Sequence, residues 1–250
     1  MLTLAEMTWL TRFRPFTTFH FVVAALCIAA MIAACLIGRS IRGTPAERRF
    51  RTAWIVSIIV FQLAAFVWWF WPTRFVAAED LPLHLCRIVV WIAAVALATS
   101  RPLPRALLYF WGLGLCFQGF VTPLRLDGLQ HPYFWIFWVG HLQIVGSALY
   151  DVVVLGYRPT MRDFGLTFIA SLAFMATVIP LNVAFGWDYA YLGQGSYRTR
   201  NVIDMLPAWP WRPFWLFVIG QLMMFILLAV WQFPALRRAK PQAALAGESA

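Results

Sequence analysis

The sequence predicts an all-α polytopic membrane protein, a seven-transmembrane-helix bundle with its N-terminus outside and its C-terminus in the cytoplasm. Three observations lead there. Of 250 residues, 62% are hydrophobic and only 12% charged, whereas a soluble domain carries about 25% charged residues. Seven apolar stretches approach the ~20 residues that a helix needs to cross the hydrocarbon of a bilayer. The basic residues gather in alternate connections between those stretches.

The spans fall at about 17–38, 52–71, 82–99, 103–121, 132–155, 163–186 and 213–233. The first, rich in alanine, is too long for the apolar core of a signal peptide, and no small-residue cleavage site follows it. The second follows an arginine cluster. The third is short. Pro82, Pro104, Pro132 and Pro213 stand near the starts of the third, fourth, fifth and seventh, where a missing N–H costs nothing. Pro180 lies inside the sixth and is expected to kink it. Residues 1–235 read as one domain, opened by a short interfacial helix within 1–16. The 187–212 loop, rich in Tyr, Trp and Pro, is expected to cap the bundle or lie on the bilayer surface. Residues 236–250 read as a basic, disordered cytoplasmic tail. No internal repeat is defensible, so an inverted-repeat transporter is not supported.

Orientation follows from Lys and Arg placement. One side holds Arg39, Arg42, Arg48, Arg49, Arg51, Arg101, Arg105, Arg158, Arg162, Arg237, Arg238 and Lys240. The other holds Arg12, Arg14, Arg74, Arg125, Arg198, Arg200 and Arg212. The first side is therefore read as cytoplasmic and the location as the cell (inner) membrane. A net charge of +10 would suggest nucleic acid in a soluble protein. Here the arginines flank apolar segments, so orientation and anionic headgroups explain them and nucleic-acid binding is rejected. Cys27, Cys35, Cys86 and Cys116 all lie in apolar segments without metal-site spacing, which argues against a disulfide framework.

Polar side chains within spans are functional candidates because they are costly there. They are His20, Gln62, His84, Cys86, Arg87, Gln118, His141, Gln143, Asn182 and Gln221. Counted from the cytoplasmic ends, Cys86 lies ~20 Å and His141 ~21 Å up. The others also fall at or above the midplane, so the sequence predicts one polar layer beneath a cavity open to the outer leaflet. The cytoplasmic half reads as apolar apart from Asp151. A channel would need polar lining throughout its length.

A thiol becomes a strong nucleophile when a histidine takes its proton. His84, two residues from Cys86, would point ~200° away on a helix. His141, at matching depth on another helix, is the better base. Arg87 could snorkel to headgroups, clamp a lipid phosphate or favour the thiolate. Gln118 and Asn182 could donate to an oxyanion or bond between helices. His20 reads as interfacial rather than catalytic. No cofactor or metal is expected; a haem or metal held by His20, His84 and His141 is a third, weaker reading, since no HxxxH spacing supports it.

"LPLHLCRI" at 81–88, "FWVGHLQIVGSALYD" at 137–151, "NVAFGWDYAYL" at 182–192 and "DMLPAWPW" at 204–211 together resemble the YwaF-type bacterial integral membrane proteins. Those are similar to the eukaryotic transmembrane-protein-164 group, implicated in acyl transfer to ether phospholipids through a cysteine. The resemblance runs over roughly residues 15–235. By position it implies that the family's cysteine falls on Cys86 and its histidine on His141. This chain has Asp188-Tyr189 where the resemblance leads one to expect Asn-Tyr, and Arg212 where it leads one to expect tyrosine. If that loop binds the headgroup, the headgroup differs here.

The resulting expectation is a membrane-embedded, thiol-dependent lipid acyltransferase or acyl hydrolase. Cys86 attacks, His141 is the base, and His84, Arg87, Gln118, Asn182, Asp188 and Tyr189 bind substrate or support the pair. The partner is a membrane phospholipid or lysolipid. The alternative is a non-enzymatic binder or transporter of lipid or another amphiphile.

Overall fold

The structure, a computed structural model, describes residues 8–123, 127–194 and 202–247, without the side chains of 8–9, 202, 204 and 233–247. Among these residues it is helical throughout, with no strand beyond an isolated bridge between Arg12 and Asp127. Arg125, Arg198 and Arg200 lie outside the described residues.

The seven apolar stretches are all helical. We label them α1 (Thr18–Ser40), α2 (Pro45–Trp69), α3 (Leu85–Thr99), α4 (Pro102–Leu107, Leu108–Cys116 and Gln118–Val121 in succession), α5 (Pro132–Val153), α6 (Met161–Phe185) and α7 (Trp211–Gly247). Five of them, α1, α2, α5, α6 and the Trp211–Gln232 part of α7, are long and apolar enough to cross a membrane. The chain is an integral membrane protein. Helix α3 is shorter, at 15 residues, which is ~22 Å of rise.

Each helix begins where a local signal allows it. The Thr17 hydroxyl accepts from the His20 N–H. Pro45 and Pro132 occupy the first turns of α2 and α5. Thr160 and Asp163 form a reciprocal capping box on α6, which satisfies two otherwise orphaned donors. Gly186, at φ 67°, ends α6 in the left-handed conformation that a glycine adopts without strain. Pro180 lies within α6 without ending it.

Two boundaries differ from those the sequence predicts. Helix α2 starts seven residues before position 52, because Thr44-Pro45 launches it and the arginines ride on its first turns. Helix α7 runs on to Gly247, where the sequence predicts a disordered tail from 236. Arg237, Arg238 and Lys240 thus continue a helix rather than begin a coil.

Helix α5 is the axis of the bundle. Of its most apolar window, 56% is buried, against 17–22% in the four other long spans. The helices run alternately up and down. At one end Tyr133 of α5 meets Asp80 just before α3, and His20 of α1 meets Phe120 at the end of α4. We call this the Cys86 end. At the other, Tyr150 of α5 meets Glu47 of α2 and Arg105 of α4 meets Asp151 of α5. We call this the Asp151 end.

The half toward the Asp151 end is not purely apolar, which corrects the reading of the sequence. Trp54 Nε1 donates to Ser147 Oγ at 2.9 Å, Trp111 Nε1 to Ser171 Oγ at 2.9 Å, and Trp231 Nε1 to the Tyr109 hydroxyl at 2.9 Å. A tally of only charged, amide and imidazole residues overlooks these pairs, because Trp, Tyr and Ser pass as apolar or neutral.

Candidate functional site

Only the second half of "LPLHLCRI" is helical. Residues 81–84 are extended or turn-like. His84 is the N-cap, at φ −75°, ψ 135°, and α3 begins at Leu85. Cys86 and Arg87 therefore sit in the first turn, where free N–H groups give the helix end its partial positive charge. The Cys86 side chain is half-buried. A thiol here has the helix N-terminus and a guanidinium as its nearest positive features.

His84 turns away from the thiol. Its ring lies 5.0 Å from that of Tyr189, and its Nδ1 accepts from the Ala190 N–H at 3.4 Å. The 189–191 turn is pinned in the same place by Asn182. Its amide nitrogen donates to the Tyr189 carbonyl at 2.9 Å, and its oxygen accepts from the Tyr189 N–H at 3.0 Å. The Tyr189 hydroxyl in turn donates to the Ala77 carbonyl at 2.5 Å and accepts from the Leu81 N–H at 2.9 Å. Asp188 caps the turn by accepting from the Gly193 N–H at 2.8 Å. Asn182, Tyr189 and Asp188 thus fasten the 187–193 segment over the start of α3. Burial raises the Tyr189 hydroxyl above its ordinary tyrosine value, against the opposing influence of the Leu81 N–H and Arg87.

Arg87 is committed on one side only. One of its terminal nitrogens donates to the Leu81 carbonyl at 3.0 Å, and the guanidinium lies 4.0 Å over the Trp69 ring. Asp80, 2% exposed, is its nearest counter-charge. The Asp80 carboxylate accepts from the Tyr133 hydroxyl at 2.6 Å and the Val76 N–H at 2.9 Å.

His141 is 8% exposed, at mid-length of α5. Its Nδ1 lies 2.7 Å from the Phe137 carbonyl. A carbonyl can only accept, so Nδ1 carries the proton and Nε2 of the neutral ring carries the lone pair. That lone-pair nitrogen packs against Gly119 of α4, where an added Cβ would lie 2.6 Å from it and 2.5 Å from Cδ2. Sequence reasoning misses Gly119. Its signal is a glycine between Gln118 and Phe120 inside an apolar helix, but which ring fills the gap is visible only in three dimensions.

Helix α4 packs against both α3 and α5, the helices that carry the two candidate catalytic residues and that also contact each other directly. Its residues Leu108–Cys116 form a π-helix, closed by the Phe117 N–H donating to the Gly112 carbonyl at 3.1 Å. Widened turns of this kind recur at functional sites. Here it sets Cys116 one turn before Gly119, in the core cluster against which Cys86 also packs. The sequence Cys86, Cys116, Gly119, His141 thus leads from α3 through α4 to α5. No hydrogen bond joins the Cys86 sulfur to the His141 ring.

Other expected residues fall elsewhere. The Gln118 side chain is exposed, on the far side of α4 from the buried Cys116, so an oxyanion role beside Cys86 does not fit its position. His20 is occupied by the Phe16 N–H at 3.0 Å and the Phe120 carbonyl at 3.0 Å. Gln62 donates to Gln143 at 3.0 Å, and Gln143 donates to the Ser57 carbonyl at 3.2 Å. The polar layer therefore resolves into separate pairs rather than one lined chamber. The three histidines of the metal reading are held apart by these different partners, and among the described residues no cluster of three or more His, Cys, Asp or Glu could hold a metal ion.

Two cavities open near Arg87. One, of about 580 Å³, is an apolar groove along α2, α3 and the start of α4. The other, of about 440 Å³, mixes charged and aromatic side chains, is the more polar of the two, and lies at the Cys86 end. Neither Cys86 nor His141 lines either one, which corrects the expectation of a single cavity around the pair.

No curated protein and no solved structure matches this chain. Residues 15–231 do match a family model, a stretch that takes in α1 to α6, the start of α3 with Cys86, the π segment and His141. The chain belongs to the TMEM164 family.

Proposed function

We propose that the protein is a seven-pass, thiol-dependent lipid acyltransferase or acyl hydrolase of the cell (inner) membrane, N-terminus outside. Cys86 is the nucleophile and His141 the base. The Cys86 sulfur attacks the carbonyl carbon of an acyl ester as its proton passes to His141 Nε2. The lysolipid alkoxide leaves with that proton, and the acyl chain remains as a thioester. A lysolipid hydroxyl or a water then gives its proton to His141 and attacks the thioester, releasing the Cys86 thiol.

One observation carries this reading. The Phe137 carbonyl fixes His141 in the tautomer whose Nε2 lone pair faces α4, the helix whose Cys116 belongs to the core cluster against which Cys86 packs. A buried imidazole held as a base, with no hydrogen bond to that nitrogen, is an unusual outlay for packing alone. The thiol–imidazole bond itself forms on substrate binding, as catalytic hydrogen bonds often tighten only in the complex.

The test uses purified protein and a phospholipid labelled in its acyl chain. Wild type and Cys116→Ala should release or transfer label. Cys86→Ala and His141→Ala should not, and intact mass should show an acyl adduct on wild type alone. Equal turnover by Cys86→Ala would sink the thiol mechanism. A second reading, lipid binding without covalent chemistry, is favoured by the absence of both residues from the two cavities. Under that reading Cys86→Ala keeps function and no adduct forms.

A further inference from the structure

The two cavities meet at Trp69. It lines the apolar groove and the polar cavity alike. It is 6% exposed, and its indole N–H has no hydrogen-bond partner among the described residues. A buried donor left unsatisfied costs ~1–3 kcal/mol, so a fold that keeps one is missing an acceptor at that point. Two guanidiniums flank it. Arg87 lies 4.0 Å over the Trp69 ring itself, and Arg74 lies 3.7 Å over the adjoining Trp68. Among the described residues, Arg87 spends only one N–H, on the Leu81 carbonyl.

The groove below is suited to a hydrocarbon chain. Its walls include Ile88, Trp91, Val95 and Leu107. From Arg87 to Val95 it follows α3 for eight residues, which is ~12 Å, and it continues to Leu103 and Pro104. The polar cavity above is bounded by Trp68, Arg74, Asp80, His131 and Tyr133. Both carboxylate oxygens of Asp80 are engaged, by Tyr133 and Val76. Asp80 thus anchors that wall and leaves the two arginines to face an anion.

We propose that this is a resident phospholipid site: the phosphate bonds to Arg87 and the Trp69 indole N–H within reach of Arg74, the rest of the headgroup fills the polar cavity, and one acyl chain lies in the α2–α3–α4 groove. An acceptor of this kind completes the unpaired indole donor and uses the guanidinium fork that favours phosphate. A free fatty acid would reach the same donors through its carboxylate but leave the polar cavity empty. The site lies on the face of α3 that carries Arg87, not Cys86, and it stands whether or not the thiol chemistry does.

The experiment is native mass spectrometry of the full chain released from detergent, titrated with dioleoyl phosphatidylcholine or, separately, with oleate. Wild type should retain one phospholipid and no oleate. Arg74→Gln and Val95→Trp, the second filling the groove from a position already 48% exposed, should each weaken retention about tenfold or more. Leu26→Trp, at a 66% exposed position of α1 that lines neither cavity, should leave it unchanged. Cys86→Ala should also retain the lipid, which separates this site from the acyl-transfer reading. Equal effects of Val95→Trp and Leu26→Trp would mean only unspecific lipid coats the bundle and would overturn the proposal. So would oleate retained as well as phospholipid.

Discussion

The two ends of the bundle use polar residues in opposite ways. At the Asp151 end most of the polar groups are closed on one another, although the buried Tyr157 hydroxyl has no hydrogen-bond partner among the described residues. Both Asp151 oxygens lie within 3.0 Å of Arg105 Nε, and Arg105 Nη2 lies 2.8 Å from Oδ1. Glu47 takes the Tyr150 hydroxyl at 2.9 Å and has Arg51 at 3.4 Å. At the Cys86 end the same residue types are left half-used. His141 keeps a lone pair toward α4, Trp69 keeps an indole N–H, and Arg87 keeps most of its fork. Polar groups buried in a membrane and paired internally hold helices in register. Polar groups buried and left open are where a substrate's atoms can complete the set. The contrast is a ground for the proposal that function sits at the Cys86 end, and it does not depend on any single motif.

The largest test of that contrast is the buried ion pair. Arg105→Ala leaves the 1% exposed Asp151 without its cation, which should destabilise the protein by about 3–5 kcal/mol. Thermal unfolding in detergent would read it. Cys86→Ala, at the open end, should shift unfolding hardly at all while removing turnover. If the two variants lose stability equally, the ends are not different in kind.

Gly119→Val is the next strongest. Its Cβ would enter the space of the His141 ring, and overpacking of this sort costs about 1–3 kcal/mol. The sharper readout is turnover, which should fall with that of His141→Ala, while Gly140→Ala, whose Cβ would meet only Gln62 at 3.9 Å, should be tolerated. Turnover surviving Gly119→Val would remove His141 from the mechanism.

How far the sequence disclosed this arrangement can be argued residue by residue. The seven helical stretches were legible because apolar runs of that length have few other uses. The start of α2 was not, because a charged first turn reads as loop until Thr44-Pro45 is weighed as a helix start. The pairing of Asn182 with Tyr189 was not, since an amide seven residues upstream gives no spacing signal. Asn182 reads as an oxyanion donor and instead spends both its groups on a turn. The exposure of Gln118 escapes for a related reason. A nine-residue π segment precedes it in α4, and each extra residue per turn rotates the downstream side chains away from the face that a 3.6-residue period assigns. The closed network at the Asp151 end was hidden in Trp, Tyr and Ser.

Asn182→Ala tests the turn directly. It leaves the N–H of the fully buried Tyr189 without a partner, at about 1–3 kcal/mol, and its carbonyl with the Leu192 N–H alone. Amide exchange should rise over 187–193 before any other described segment. Uniform loosening of the bundle would show that Asn182 supports helix packing rather than the turn.

The smallest expected effect is a pH dependence at the same turn. Burial holds the Tyr189 hydroxyl above its unfolded value of 10.0, so the folded chain keeps that proton longer than the unfolded chain does. Stability from this group is therefore complete below pH 10 and declines as the pH rises above it, because the unfolded state then loses its proton first. The phenolate would also face the Ala77 carbonyl, to which the phenol now donates. Tyr189→Phe should lower stability near neutral pH by about 0.5–1.5 kcal/mol, the net worth of a hydrogen bond. Between about pH 9 and 11 it should lose less than wild type. The difference in unfolding temperature between the two proteins should thus narrow with rising pH. A constant difference would mean that Tyr189 titrates alike in both states, and that the turn over α3 is open to water.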